Sequence, residues 1–134
     1  MRTIKFRGKS IDDKEWLYGD LVSSADKKRF AILVNNKESY DECEVAPETI
    51  GQFSGLYDCN EKEIFEGDIL EWEKDGLMYV VKFWAGMFYA SVEECNKGIL
   101  GGFPLHALTE HEDRKCKIVG NIYDNPELLK GGAE

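Results

Sequence analysis

The stretch Ile69-Leu70-Glu71-Trp72-Glu73-Lys74-Asp75-Gly76-Leu77-Met78-Tyr79-Val80-Val81-Lys82-Phe83-Trp84 decides the fold class. Asp75-Gly76 lies between two strand-like runs, Ile69 to Glu73 and Leu77 to Trp84. Asp-Gly in that setting is the strongest short hairpin signal, because both central residues of a tight hairpin turn need positive φ. Leu77 to Trp84 is apolar at nearly every position, the pattern of a strand buried on both faces. Along Ile69 to Glu73, period-two alternation puts Ile69, Glu71 and Glu73 on one face and Leu70 and Trp72 on the other. Ala85-Gly86 then turns the chain into Met87 to Val92, completing a three-stranded meander.

Working outward, the same short alternating runs recur on both sides. Upstream, Glu66-Gly67-Asp68 reads as a sharp corner, with glycine supplying backbone angles other residues avoid and aspartate able to bond nearby amides. Lys62 to Phe65 reads as a short strand, Tyr57 to Glu61 as a turn, and Thr49 to Leu56 as an extended segment. Ile4/Phe6, Trp16 to Val22 and Phe30 to Val34 give three earlier strands. Ser39 to Glu44 is polar and acidic and reads as a surface loop. Downstream come a glycine-rich loop (Gly98, Gly101, Gly102), a short run from Leu105 to Leu108, a charged turn from Glu110 to Lys115 and a last strand from Cys116 to Ile122. Asn125-Pro126-Glu127-Leu128-Leu129-Lys130 reads as one helical turn, with Asn125 as cap and Pro126 at the first helical position. A frayed tail is expected at 131–134.

The chain of 134 residues, 43% hydrophobic and 12% aromatic, can bury the core of one ordinary domain. Its formal net charge of -9, from 26 Asp and Glu against 17 Lys and Arg, repels phosphate backbones and anionic membrane surfaces, so direct nucleic-acid binding is not expected. No window has membrane-spanning length, and the charged, alternating start from Met1 to Arg7 is unlike a secretory leader. The four cysteines, Cys43, Cys59, Cys95 and Cys116, are widely scattered and read as reduced thilos of a cytoplasm rather than a disulfide framework.

Few constellations carry chemistry. Metal sites show paired Cys or His at short spacing, and the nearest pair here is His106 and His111; a fold bringing Cys95, His106, His111 and Cys116 together is the one route to a site. A catalytic thiol needs an imidazole and an orienting group beside it, and lone cysteines without a local signature are mostly packing residues. No phosphate-cradling loop is present, because Gly98 to Gly102 has neither the following Lys-Ser/Thr pair nor a strand-to-helix setting. Glu63, Glu66, Asp68, Glu71 and Glu73 crowd one stretch and form a candidate acidic interaction surface, read foremost as the solvated side of a sheet. The aromatics Trp72, Tyr79, Phe83, Trp84, Phe88 and Tyr89 read as core rather than a base-stacking platform. No catalytic residue, metal ligand or cofactor is expected.

Val45-Ala46-Pro47-Glu48-Thr49-Ile50-Gly51-Gln52-Phe53-Ser54-Gly55-Leu56, followed by Lys62-Glu63-Ile64-Phe65-Glu66-Gly67-Asp68-Ile69-Leu70, resembles the signature of the YopX family of phage and prophage proteins. The opening Ile4-Lys5-Phe6-Arg7-Gly8 and the closing Ile118-Val119-Gly120-Asn121-Ile122-Tyr123-Asp124-Asn125-Pro126-Glu127-Leu128-Leu129 resemble it too. One departure is visible: the family's turn between the two signature segments carries Asn-Gly, where this chain has Asn60-Glu61. The resemblance implies a mainly β protein with an SH3-like barrel or roll in its C-terminal part, a bacterial or phage cytoplasmic setting, and no established activity. Thr49, Gly51, Gln52, Gly55, Gly67, Asp68, Gly120, Asn121 and Pro126 are the motif positions, expected to be structural.

The expected architecture is therefore mainly β: a meander over 1–45, an SH3-like barrel over 46–130 ending in one short helical turn, and a flexible tail at 131–134. The expected function is a non-enzymatic phage accessory module that binds a protein partner or self-associates as a homo-oligomer. Two alternatives stand beside it. One is an acidic nucleic-acid mimic that inhibits a host DNA-binding or defence protein, and the other is a small hydrolase built on a cysteine or the acidic cluster.

Overall fold

Short strands take up about half of the described residues, in a computed structural model that describes residues 2–110 and 115–129. The expected tail at 131–134, Lys130 of the expected helical turn, and residues 111–114 of the expected charged turn lie outside the described residues. The chain divides into two units, Met1–Phe53 and Ser54–Glu134. The division falls inside one strand, later than the change of character read at 45/46 from the sequence. None of the described helices is long and apolar enough to cross a membrane.

In the first unit, β1 (Phe6–Lys9), β2 (Trp16–Ser23), β3 (Phe30–Asn36) and β4 (Ser39–Val45) pair antiparallel in the order β4-β3-β2-β1. The start of β5 (Gly51–Tyr57) lies on the other side of β1, with Gly51 opposite Arg7 and Gln52 opposite Phe6. Ile32, Val45 and Phe53 are buried apolar anchors, and the Arg7 guanidinium stacks over the Trp16 ring at 4.6 Å. Thr49 fixes the corner before β5: its hydroxyl accepts from the Lys9 amide at 2.9 Å and donates to the Ala46 carbonyl at 2.7 Å. The loop expected from Ser39 to Glu44 is instead the edge strand β4, paired in register from Phe30↔Val45 to Asn36↔Ser39. An edge strand with almost every side chain in solvent needs no apolar alternation, so its sequence carries none.

In the second unit the end of β5 neighbours β6 (Glu63–Phe65), and a five-stranded antiparallel sheet runs in the order β10-β9-β8-β7-β11. Its members are β7 (Asp68–Trp72), β8 (Met78–Trp84), β9 (Met87–Ser91), β10 (Gly102–Pro104) and β11 (Cys116–Asn121), with a four-residue helix α1 (His106–Thr109) after β10. Leu70, Trp72, Tyr79, Val81 and Ala90 share its buried face with Leu105 and Leu108. Trp72 meets Tyr79 and Phe103 edge-on at 6.0 and 5.4 Å, contacts worth about 0.5–1.5 kcal/mol each beyond burial. The paired order is linear, ending at β10 and β11, and this pairing does not itself draw the closed barrel that the resemblance implies.

The corner at Glu66-Gly67-Asp68 forms as its chemistry requires. Gly67 has φ +94, its amide donates to the Val81 carbonyl at 2.8 Å, and its carbonyl accepts from the Ile122 amide at 2.9 Å. Asp68 is buried, and its Oδ2 accepts from the Phe65 amide at 2.8 Å. The expected hairpin also forms, with Ile69↔Val80, Leu70↔Tyr79 and Glu71↔Met78. Its turn differs from the tight Asp-Gly reading. Trp72 and Leu77 close a four-residue loop, Glu73 to Gly76, in which Gly76 alone has positive φ and the Asp75 carboxylate accepts from the Leu77 amide and the Tyr79 hydroxyl. Four residues relax the demand on Asp75, so its side chain serves as a hydrogen-bond acceptor instead.

At the chain's end, Pro126 opens a 3-10 turn over Pro126–Leu128. Asn125 does not cap it with its side chain, as the sequence reading has it. Its Oδ1 instead accepts from the Asn121 amide at 3.1 Å, close against Gly120, where an added Cβ would lie 2.4 Å from that oxygen. Gly120 and Asn121 are thus joined by one local contact.

The turn after β5 explains the Asn60-Glu61 departure. Glu61 takes the left-handed conformation itself, at φ +62, while Asp58 Oδ1 accepts from the Asn60 and Lys62 amides. A non-glycine residue there costs about 1 kcal/mol. Glu61→Gly is expected to raise the unfolding free energy by about 1 kcal/mol in urea titration, with an unchanged m-value. An unchanged or lower stability contradicts the turn geometry.

Candidate functional site

Strand β8 has seven residues against five in β7, and the excess length makes the site. The β7–β8 pairing ends at Ile69↔Val80, and the corner amide of Gly67 takes the Val81 carbonyl. Beyond Val81, β8 pairs among the described residues with β9 alone, through Lys82↔Tyr89, Phe83↔Phe88 and Trp84↔Met87. Tyr79, Val80 and Val81 are accordingly buried, whereas Phe83 and Trp84 are 54% and 60% exposed. The sequence reading, a strand buried on both faces throughout, holds for the first half of β8 and fails for the second. The core reading of the aromatics likewise holds for Trp72 and Tyr79, but Phe83 and Trp84 stand in solvent and Phe88 and Tyr89 are half-buried.

The hairpin tip is tight. Ala85 (φ +52) and Gly86 (φ +79) are the two central residues, so the doubly positive turn expected at Asp75-Gly76 is found here. Cross-strand rings stiffen the projecting part: Phe83 and Phe88 meet edge-on at 5.1 Å, and Trp84 tilts against Tyr89 at 5.3 Å. No residue from Phe83 to Val92 is charged. Lys82 forms an ion pair with Glu94. Burial pushes the Glu94 carboxyl up, but hydrogen bonds from Lys82 and Ser91 outweigh it and hold the group below its usual range. The outcome is a neutral aromatic finger on a strongly acidic chain.

The five candidate acids do not form one exposed face. Asp68 is buried at the corner and leaves the proposed surface altogether, because its carboxylate is needed for the Phe65 amide. Ile69, placed on the same face as Glu71 and Glu73, is fully buried rather than solvated. Glu63 and Glu66 are half-buried. Glu71 lies 3.6 Å from the Lys117 ammonium, and Glu71, exposed Glu73, Lys115, Lys117 and Cys59 line a shallow cavity of about 350 Å³ in which the charges balance. The motif positions Thr49, Gly51, Gln52, Gly67, Gly120, Asn121 and Pro126 sit in strand pairings, corners and turns; Gly55 has positive φ within β5.

The thiols are poorly placed for nucleophilic work. Burial, then Asp58 and Cys59, push the Cys116 thiol up to about 12, and burial and Glu94 also raise Cys95. Cys59 is exposed, its amide donating to the Cys116 carbonyl at 2.8 Å. His106 is exposed on α1, His111 lies outside the described residues, and among the described residues no group of three or more His, Cys, Asp or Glu could hold a metal.

Comparison with known proteins gives a family match and a structural likeness. The family described as YopX protein matches the chain over residues 5–130. The crystal structure of protein EF1440 from Enterococcus faecalis is similar at a TM-score of 0.58 and 23% identity, covering 97% of this chain and 100% of that one, a likeness of fold. Among curated proteins, no relative matches at a significant level.

The Cys116 environment sets a pH dependence. A thiol titrates near 8.5 when unfolded, and the fold favours its neutral form. Its contribution to stability is therefore complete below that value and is lost as pH rises towards about 12. Urea unfolding should show falling stability above about pH 9, with a shallower slope in Cys116→Val; equal slopes contradict the assignment. At pH 8, brief iodoacetamide treatment and peptide mapping should find Cys59 modified and Cys116 spared, and equal labelling of the two is the contrary result.

Proposed function

The chain belongs to the YopX family, and from that premise we propose that it is a non-enzymatic protein-binding module whose β8–β9 aromatic hairpin pairs with the same hairpin of a second copy. The observation that carries this reading is the exposure of Phe83 and Trp84, 54% and 60%, on a turn fixed by cross-strand rings. Burying such rings contributes roughly 2 kcal/mol each, and aromatic anchors of this kind dominate protein interfaces. Rigid rings also lose little conformational entropy on association.

Charge confines pairing between copies of this chain to this place. Two molecules of net charge -9 repel wherever acids face each other, and the uncharged run from Phe83 to Val92 is where they approach at least cost. A twofold pairing of hairpins closes on itself, so it gives dimers rather than filaments. The raised thiols support the non-enzymatic part of the reading. The acidic-mimic alternative has lost Asp68 to the interior and Glu71 to Lys117, and no observation favours a hydrolase. The setting proposed with this function is the cytoplasm of a bacterium carrying the gene on a phage or prophage, in line with the family resemblance.

Light scattering during gel filtration tests it across micromolar concentrations. The wild type is expected to pass from monomer to dimer, while Phe83→Ser/Trp84→Ser stays monomeric with an unchanged circular dichroism spectrum. A wild type that is monomeric throughout, or a double variant that still dimerises, overturns the reading.

A further inference from the structure

Strand β4 is the free edge of its sheet, and its outward backbone is only partly used. The Ile11 amide donates to the Glu44 carbonyl at 3.1 Å, so Glu44 directs its backbone groups away from β3. In an antiparallel pair the direction alternates residue by residue, so Glu42 and Tyr40 also turn their N–H and C=O outward. No described residue donates to or accepts from those groups of Tyr40 and Glu42. Two consecutive open rungs remain beside the one that Ile11 occupies.

The surroundings of those rungs carry more acids than cations. From Glu38 to Val45 the chain carries Glu38, Asp41, Glu42 and Glu44 and no cation, and all four acids are exposed. Tyr40 is 63% exposed. On the same sheet face, register places Leu33 opposite Glu42, and Ala31 opposite both Glu44 and Val22. Val22, Ala31 and Leu33 floor a cavity of about 450 Å³, with Glu42 and Glu44 on the β4 side and Arg29 also lining it. An added strand would thus find backbone partners on the edge, carboxylates beside it and an apolar hollow for one side chain.

We infer that the β4 edge takes a basic, extended segment of a partner protein as an added strand, bonded to Tyr40 and Glu42, with lysine or arginine opposite Glu42, beside Glu44. Charge selects this occupant over a second copy of the chain: two β4 edges side by side would set acids against acids, which destabilises a strand pair. Bare acidity alone would attract a cation to any part of this surface. The open rungs add a requirement of backbone geometry, and that is what makes the edge a strand-addition site. This surface belongs to the first unit and does not depend on the hairpin of the second.

The probe is a short peptide alternating lysine and valine, tested against its glutamate–valine counterpart and against a copy N-methylated at alternate residues. Titration followed by amide NMR on the whole chain should show the lysine peptide binding, with slowed hydrogen exchange at the amides of Tyr40 and Glu42. The glutamate peptide should not bind, N-methylation on the pairing side should abolish the protection, and Glu42→Lys should weaken binding by about tenfold or more. Absence of binding at millimolar peptide, binding that leaves Tyr40 and Glu42 unprotected, or binding indifferent to both N-methylation and Glu42→Lys overturns the inference. A dimer bridged through β4 in the absence of peptide also overturns it. The Phe83→Ser/Trp84→Ser variant should bind the peptide as the wild type does, which separates this site from the hairpin.

Discussion

The second unit hangs on the corner at Gly67-Asp68. Glycine's positive φ lets the chain reverse within one residue, and both of its backbone groups are then used, the amide on β8 and the carbonyl on the segment after β11. The next residue buries a carboxylate against the Phe65 amide, which ties β6 to the start of β7. The β6–β7 corner, β8 and the segment after β11 meet in these few bonds. A buried carboxylate left without its donor costs more than the bond itself contributes, so the corner is a constraint on the fold as much as a stabilising contact.

The corner also sets where the aromatic hairpin begins. Because β7 starts at Asp68, its pairing with β8 cannot extend past Val80, and Gly67 takes the last available carbonyl, that of Val81. Everything further along β8 pairs with β9 alone among the described strands, while β9 keeps β10 on its other side as far as Tyr89. The exposure of Phe83 and Trp84 follows from the position of a turn more than ten residues away in sequence. The ring contacts of Phe83 with Phe88 and of Trp84 with Tyr89 then stiffen the part of β8 that has lost β7.

Local chemistry was legible in the sequence and tertiary context was not. Glu66-Gly67-Asp68 was readable because a glycine and an acceptor side chain specify a corner between themselves. The β7–β8 hairpin was readable for the same reason, although its loop length was not: Asp75-Gly76 satisfies a four-residue loop as well as a two-residue one, while Ala85-Gly86, the less obvious pair, occupies the tight turn. Ser39 to Glu44 defeats pattern reading, since an edge strand exposed on most of its side chains lacks the apolar alternation that marks a strand. Phe83 and Trp84 are compositionally indistinguishable from core residues; the uncharged run continuing across the turn from Phe83 to Val92 was the available signal. Asp68 groups with its acidic neighbours in sequence, and its burial against the Phe65 amide separates it from them.

Native-state hydrogen exchange at the amides of Phe65, Gly67 and Ile122 addresses the corner most directly. If it locks β6, β7, β8 and the segment after β11 together, all three amides exchange only through global unfolding, with the full denaturant dependence of the unfolding transition. Exchange of any of them through a local opening, at much lower free energy and without that dependence, would contradict it.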